Sequence, residues 1–427
     1  MDRTFQTSGH LSGSIEVPAD KSLTHRTLIL AAMCRGESRI KGHIAGGDVG
    51  STRRCIELLG SRTEALGQNI LRVEGNGWRT PSEAYLDAGN SGTTMRLLAG
   101  ALAGRKGRFV LSGDESLSRR PMTRIAKPLR RMGARVELTQ GSHAPIELTG
   151  GALKGITYAP EVASAQVKGA VLLAGLQAEG STTVEEAVPT RDHTERLLRW
   201  LGASVRTGEG FVTVDGGDQI FDREGFECRV PGDLSSAAYF LVAACLCPGS
   251  RVEIRDVGLN PGRTGIIEVL KAMGAHLEVA FESDAPEPMG TVVSTSSKLQ
   301  AVNVNGALIP WTIDELPLVA LAATQAEGTT LITDAADLRA KESDRIAVLA
   351  KNLRILGAKV EELSDGLSIT GPTRLHGGIV DAHSDHRIAM TFAVAGLIAS
   401  DPVTVSGWGC AAVSYPGFDR VLAGLLR

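Results

Sequence analysis

Five segments of this chain end a helical pattern in nearly the same way: "IELLGSRTE", "PLRRMGARVEL", "LLRWLGASVRT", "VLKAMGAHLEV" and "NLRILGAKVEE". Each reads as a helix, a glycine at its C-terminal cap (Gly60, Gly133, Gly202, Gly274, Gly357) and then a strand. Successive glycines lie 69 to 83 residues apart. A second series interleaves with the first. "KSLTHRTLILAAMCRG", "NSGTTMRLLAGALAG", "ASAQVKGAVLLAGLQAEG", "LSSAAYFLVAACLCPG", "IDELPLVALAATQAEG" and "SDHRIAMTFAVAGLIAS" each open on small or polar residues and are then apolar on nearly every face. A helix that is apolar all round belongs inside a domain. The starts of these helices are expected near Ser22, Ser91, Ser164, Ser235, Asp314 and Asp385.

Short strand signals such as "TTVEEA", "SRVEIRDV" and "TTLITDA" fall between the two series. The repeating unit is therefore strand, buried helix, strand, amphipathic helix, glycine, strand pair. It is about 70 residues long, and six copies fill the 427 residues. Three copies around a central bundle of buried helices make one globular α/β domain; six make two similar domains, within the length prior.

The chain is 43% hydrophobic and 22% charged, enough to bury a large core. A formal net charge of -3 gives no global basicity for nucleic acid or a membrane surface, so anion binding needs a local patch. The start, "MDRTFQTSGH", carries charges and no apolar stretch, so no signal peptide is expected. The apolar run at 237–247 is too short to span a bilayer. Most of the six cysteines sit in apolar segments without metal-ligand spacing, which reads as reduced thiols of a cytoplasmic protein.

A helix N-terminus carries roughly half a positive charge and up to four unpaired N–H groups. If the six buried helices point their N-termini at the gap between two domains, that gap is an anion trap. The entrances are furnished accordingly. Lys21, Ser22 and Arg26 crowd the first. Asn90, Ser91, Gly92, Thr93 and Thr94 precede Arg96 at the second, where Gly92 leaves room for a ligand beside backbone N–H groups. Ser164, Gln166 and Lys168 stand at the third. At the fourth, capping accounts for Asp233, Ser235 and Ser236. Asp314 and Glu315 mark the fifth; Asp385, His386 and Arg387 mark the sixth.

The amphipathic helices add Arg119, Arg120 and Arg124, with Pro121 suited to a first helical turn, and Arg191. They also add Lys341 and Arg345, four apart on one face, with Glu342 beside them. Singly, such clusters are more often caps or solvated helix faces. Together they suit two small phosphate- or carboxylate-bearing substrates, with Arg as bidentate binder, Lys as point charge or proton donor, and carboxylates as general bases. No P-loop, dinucleotide-binding, nucleophile-elbow or zinc-protease motif occurs, and nothing calls for a metal or organic cofactor.

"DKSLTHR", "GNSGTTMR", "SRRPM", "ASAQVKGAVLLAG", "TIDELP", "KESDR" and "SDHRIAM", in this order, resemble the 5-enolpyruvylshikimate-3-phosphate synthase family from about residue 9 to the C-terminus. The resemblance implies two domains of three βαβαββ units each, an inside-out α/β barrel. Residues 1–18 plus 231–427 would form one domain and 19–230 the other, with hinge crossings near 13–19 and 227–231. It implies transfer of the enolpyruvyl group of phosphoenolpyruvate to the 5-hydroxyl of shikimate 3-phosphate, by addition and elimination and without cofactor. Lys21, Ser22, Arg26, Ser164, Ala165 (through its backbone), Gln166, Asp314 and Lys341 would contact shikimate 3-phosphate, with Arg191 at its phosphate. Lys21, Gly92, Arg120, Gln166, Arg345 and Arg387 would hold phosphoenolpyruvate. Asp314 would take the hydroxyl proton, with Glu342 and Lys21 handling protons at the methylene carbon and the leaving phosphate. A monomer is expected.

Two departures accompany the resemblance. "AAVSYP" offers Val413 where many members have a lysine, and no tyrosine follows Gly202 where some use one. Both absences resemble the branch with "ASAQVK" and "TRDHTE", which often tolerates the inhibitor glyphosate. Gly92, where tolerant members carry Ala, implies that glyphosate binds. Two alternatives remain. One is a UDP-N-acetylglucosamine enolpyruvyl transferase, although its loop cysteine has no counterpart between Cys55 and Cys228. The other is a non-catalytic binder of a phosphorylated metabolite, which has little use for buried carboxylates.

Overall fold

A computed structural model of the chain describes residues 1–6, 9–42, 47–67, 69–217 and 219–427. The chain divides into two compact units. The central unit comprises Ala19–Pro231 with the tripeptide Ala285–Glu287; the terminal unit comprises Met1–Pro18, Gly232–Asp284 and Pro288–Arg427. Each has its own hydrophobic core.

One sheet of the central unit shows the plan. Glu83–Asp87 and Gly107–Ser112 run parallel, with the buried helix Gly92–Ala103 between them in sequence. The amphipathic helix Thr123–Met132 follows, then Gly133 and the antiparallel pair Arg135–Thr139 and His143–Gly150. The last strand returns beside Gly107–Ser112, leaving the post-glycine strand at the edge. The same order recurs in the four-stranded sheets that end on Arg62–Ala65, Val205–Gly208, His276–Ser283 and Lys359–Glu362. The five repeated glycines all have positive φ, from 88° to 113°. That conformation suits glycine and ends each helix in the same way.

The repeat is permuted where the chain passes between units. Ser12–Glu16 pairs in parallel with Arg251–Gly258 in the terminal unit, and Glu227–Arg229 pairs in parallel with Arg35–Lys41 in the central unit. Each unit thus completes one sheet with a strand from the far end of the intervening chain. The sixth copy departs from the expected pattern. Its sheet has three strands, Gly378–Asp381, Val403–Ser406 and the N-terminal Arg3–Phe5, which stands where the hairpin would be. The chain then ends in a 3-10 turn, Trp408–Val413, and a helix, Phe418–Leu425.

The six expected buried helices are Lys21–Met33, Gly92–Ala103, Ala165–Gly175, Leu234–Leu246, Leu316–Ala323 and His386–Ile398. Their small residues permit close packing. A Cβ on Gly100 would stand 2.2 Å from the Ala170 carbonyl oxygen. Among the described residues no helix is long and apolar enough to cross a membrane.

Candidate active site

The six buried helices begin within two residues of their expected starts, and their caps differ from one another. Asp20 caps the first helix, accepting the Leu23 N–H at 2.7 Å, and Asp233, one of the residues read as capping, caps the fourth. Ser91, Ser164 and Asp385 cap theirs. The fifth helix has no side-chain cap: its cap position is Glu315, preceded by Asp314. The Asp314 carboxylate is therefore not spent on closing a helix end. Pro121 lies in the break between Glu115–Ser118 and Thr123–Met132, outside both helices, so the expectation of a first-turn proline is corrected.

In the central unit, hydrogen bonds knit three entrances together. Lys21 Nζ donates to Asp48 Oδ2 at 3.0 Å. Arg26, only 2% exposed, donates through Nε to Thr194 Oγ1 (2.8 Å) and through its terminal nitrogens to the Ser22 carbonyl (2.8 Å) and the Ala165 carbonyl (3.1 Å). It thus joins the first entrance to the third. Gln166 joins the third to the second, donating to Thr93 Oγ1 at 3.0 Å and accepting from Arg96 at 2.5 Å. Arg120 donates to Asn90 Oδ1 at 3.2 Å, two residues before Gly92. Burial lowers the Arg26 pKa to about 10, offset by Glu195 and Asp20 and reinforced by the nearby charge of Arg191. Lys21, Ser22, Arg26, Gly92, Arg120, Ser164, Ala165, Gln166 and Arg191 thus belong to one neighbourhood.

A second chain of hydrogen bonds lies behind it, and the sequence reading missed it. His25 Nδ1 meets Thr52 Oγ1 at 2.6 Å, Thr52 Oγ1 meets Thr94 Oγ1 at 2.6 Å, and Thr94 donates to Ser91 Oγ at 2.7 Å. Each hydroxyl has one proton to give. Thr94 gives its proton to Ser91, so Thr52 gives its own to Thr94, and His25 must be the Nδ1–H donor. Its Nε2 is then a lone-pair nitrogen, buried and, among the described residues, without a hydrogen-bond partner. Burial lowers the His25 pKa from 6.5 to about 3, so the ring is neutral.

In the terminal unit, Asp314 is ringed by cations. Arg387 NH2, Arg263 NH1, Arg345 NH1 and Lys341 Nζ stand 3.6, 3.7, 3.8 and 4.0 Å from its oxygens. Arg387 also donates to the Asp314 carbonyl at 3.0 Å. Arg345, 1% exposed, is held by Asp385 at 2.7 Å and by Glu342 at 2.6 Å. Burial works against its charge, but Asp385 and then Glu342 outweigh it and hold the guanidinium above its usual value. Arg387 is likewise raised, burial being outweighed chiefly by Asp314.

Lys341 and Arg345 were expected to share a helix face. The helix begins only at Arg345, and Lys341 reaches Asp314 from the preceding turn. Among the described residues these cations are accompanied by the carboxylates of Asp233, Asp314, Glu315, Glu342 and Asp385.

Arg263 was missed in the sequence. It is 4% exposed and bonds Asp233 at 2.5 Å and Ser235 at 2.9 Å. Its signal was the repeat itself: Arg120, Arg191 and Arg345 stand at or just before their amphipathic helices, and Arg263 precedes Gly265–Ala272 likewise. Lys168 is a correction of the opposite kind. It turns away from the third entrance into a buried ion cluster with Glu186 and Glu195. Val413, at the position where the resemblance led a lysine to be looked for, ends the 3-10 turn Trp408–Val413 and is 37% exposed.

Comparison with known proteins identifies the family and the fold. The family described as EPSP synthase (3-phosphoshikimate 1-carboxyvinyltransferase) matches residues 5–422. A 3-phosphoshikimate 1-carboxyvinyltransferase of Bacillus licheniformis is 48% identical over 413 residues, covering 96% of each chain. One of Synechococcus is 47% identical, covering 99% of this chain and 96% of its own. The solved EPSP synthase of Acinetobacter baumannii superposes with a TM-score of 0.88 at 41% identity, covering 99% of this chain and 98% of that one. The enolpyruvyl transferase NikO of Streptomyces tendae shares the fold, with a TM-score of 0.79 at 19% identity. With its repeats, its two knitted clusters and these full-length likenesses, the chain is an enolpyruvyl transferase and belongs to the EPSP synthase family.

Proposed function

We propose a division of labour between the two clusters in the reaction of this family, enolpyruvyl transfer from phosphoenolpyruvate to the 5-hydroxyl of shikimate 3-phosphate with release of phosphate. The reaction is a step of the shikimate pathway to aromatic amino acids. Lys21, Ser22, Arg26, Ser164, Gln166, the Ala165 backbone, Asp314 and Lys341 contact shikimate 3-phosphate, and Arg191 joins Arg26 at its phosphate. Lys21, Gly92, Arg120, Gln166, Arg345 and Arg387 hold phosphoenolpyruvate. The chemistry needs a base at the hydroxyl, an acid at the methylene carbon and cations at the departing phosphate. Asp314 is the base; Glu342 and Lys21 carry the other protons. Each such group is worth roughly 100- to 10,000-fold in rate.

The observation that carries this reading is the Asp314 carboxylate inside its ring of four cations. A binding protein for anions gains nothing from placing a carboxylate at the centre of its cations. The UDP-N-acetylglucosamine reading is disfavoured by "SGDESLSRRP", which has no cysteine. The enzyme acts as a cytoplasmic monomer, and glyphosate competes with phosphoenolpyruvate beside Gly92.

The test is phosphate release from the two substrates. Asp314→Asn and Lys21→Met are each expected to lower kcat at least 100-fold while the fold, followed by circular dichroism, is retained. Full activity in Asp314→Asn would overturn the assignment of the base.

A further inference from the structure

Lys168 sits in the first turns of the helix Ala165–Gly175, yet it is 2% exposed and points into the unit. Its ammonium donates to Glu186 Oε2 at 2.7 Å and to the Thr190 carbonyl at 3.2 Å, and it pairs with Glu195 Oε1 at 2.7 Å. The second oxygen of Glu186 accepts both the Thr190 N–H, at 3.1 Å, and the Thr190 hydroxyl. Residues 186–190 are thus closed into one turn, and Lys168 pins that turn to the helix. The next residue is Arg191.

At the other end of the segment, Thr194 beside Glu195 accepts the Arg26 Nε–H at 2.8 Å, and Arg26 returns to Ala165 on the Lys168 helix at 3.1 Å. Ala165, Arg26, Thr194, Glu195 and Lys168 therefore form a closed ring of contacts, and both proposed phosphate-binding arginines are attached to it.

Stability does not explain this cluster. Removing three charges from water costs several kcal/mol per ion, and apolar replacements of similar volume are often as stable or more so. Placement does explain it. Arg26 and Arg191 are like charges near each other, and Arg191 presses the Arg26 pKa downward. Before substrate arrives, something must hold them against that repulsion. Fixing both arginines in advance removes the ordering cost from the binding step.

We infer that Lys168, with Glu186 and Glu195, is a positioning group that fixes Arg191 and Arg26 for the phosphate of shikimate 3-phosphate. This rests on the reading that those two arginines bind that phosphate. Lys168 touches neither substrate; it acts through the 186–195 segment.

Steady-state kinetics on the full chain test it, with KM measured separately for each substrate. Glu186→Gln is expected to raise the KM for shikimate 3-phosphate about tenfold, the scale of a small misplacement of a binding group. The KM for phosphoenolpyruvate and kcat stay within about twofold. Thr190→Val, which deletes one hydroxyl from the turn, moves the same constant in the same direction and keeps the proposal testable should Lys168→Met fail to fold. The double variant Glu186→Gln/Arg191→Gln is expected to be no worse than Arg191→Gln, because Glu186 holds the turn that carries Arg191, whereas Arg26 is held from the side of Thr194 and Glu195. If Glu186→Gln and Thr190→Val raise both KM values together, or neither, the cluster is structural and the proposal is overturned. If Arg191→Gln leaves the KM for shikimate 3-phosphate unchanged, the phosphate-site reading is the failed step and the clamp falls with it. A raised KM in Arg191→Gln without one in Glu186→Gln or Thr190→Val overturns the clamp alone.

Discussion

His25 makes a quantitative prediction about pH. The hydroxyl chain through Thr52, Thr94 and Ser91 fixes the ring as the Nδ1–H tautomer, so an added proton must go to Nε2, which is buried and has no partner among the described residues. Burial sets the direction; Asp48 and Asp20 oppose it, while Lys21 and Arg26 add to it. The folded-state pKa is about 3 against 6.5 for the free ring. The unfolded chain thus takes up the proton first as pH falls. The His25 contribution to stability is complete above pH 6.5, declines below it by up to ~1.4 kcal/mol per pH unit, and levels off below about pH 3. By pH 5 about 2 kcal/mol is lost, and about 5 kcal/mol over the whole span. His25→Asn removes the titration and keeps an N–H for Thr52. Urea denaturation between pH 7.5 and 5 is expected to weaken the native chain by about 2 kcal/mol more than the variant. In NMR, the ring signal that vanishes in His25→Asn should not titrate above pH 5. A midpoint near 6.5 for that signal, or parallel stability profiles for the two proteins, would refute the argument.

Three further predictions follow from contacts in the structure. Arg263→Ala removes the guanidinium 2.5 Å from the Asp233 carboxylate in a buried setting, and is expected to cost about 3 kcal/mol in chemical denaturation; a cost under 1 kcal/mol would contradict it. Gly100→Ala puts a methyl group against the Ala170 carbonyl and should destabilise the central unit by about 1–3 kcal/mol, read as a lowered Tm. Gly92→Ala places a Cβ 2.7 Å from the Arg96 guanidinium, which must shift and loosen its bond to Gln166. The KM for phosphoenolpyruvate should rise and inhibition by glyphosate should weaken; native enzyme unaffected by millimolar glyphosate would refute the premise.

The repeat was legible in the linear chain because it rests on local rules. A glycine with positive φ ends a helix whatever surrounds it, and an all-round apolar helix has nowhere to go but inward. Gly60, Gly133, Gly202, Gly274 and Gly357 and the six buried helices therefore stood where expected. The residue types at the entrances were legible too, since caps and cations sit at fixed offsets from those helices. What each charged side chain does was decided only by tertiary packing. Lys168 and Gln166 are neighbours in one motif, yet one is buried between Glu186 and Glu195 and the other bridges two helix entrances. Arg263 and Asp314 are about 50 residues apart in sequence and 3.7 Å apart in space. The physical reason is range. Helix caps and hydrophobic periodicity act over a few residues, whereas an ion pair depends on distance in space, which a sequence specifies only once it has folded.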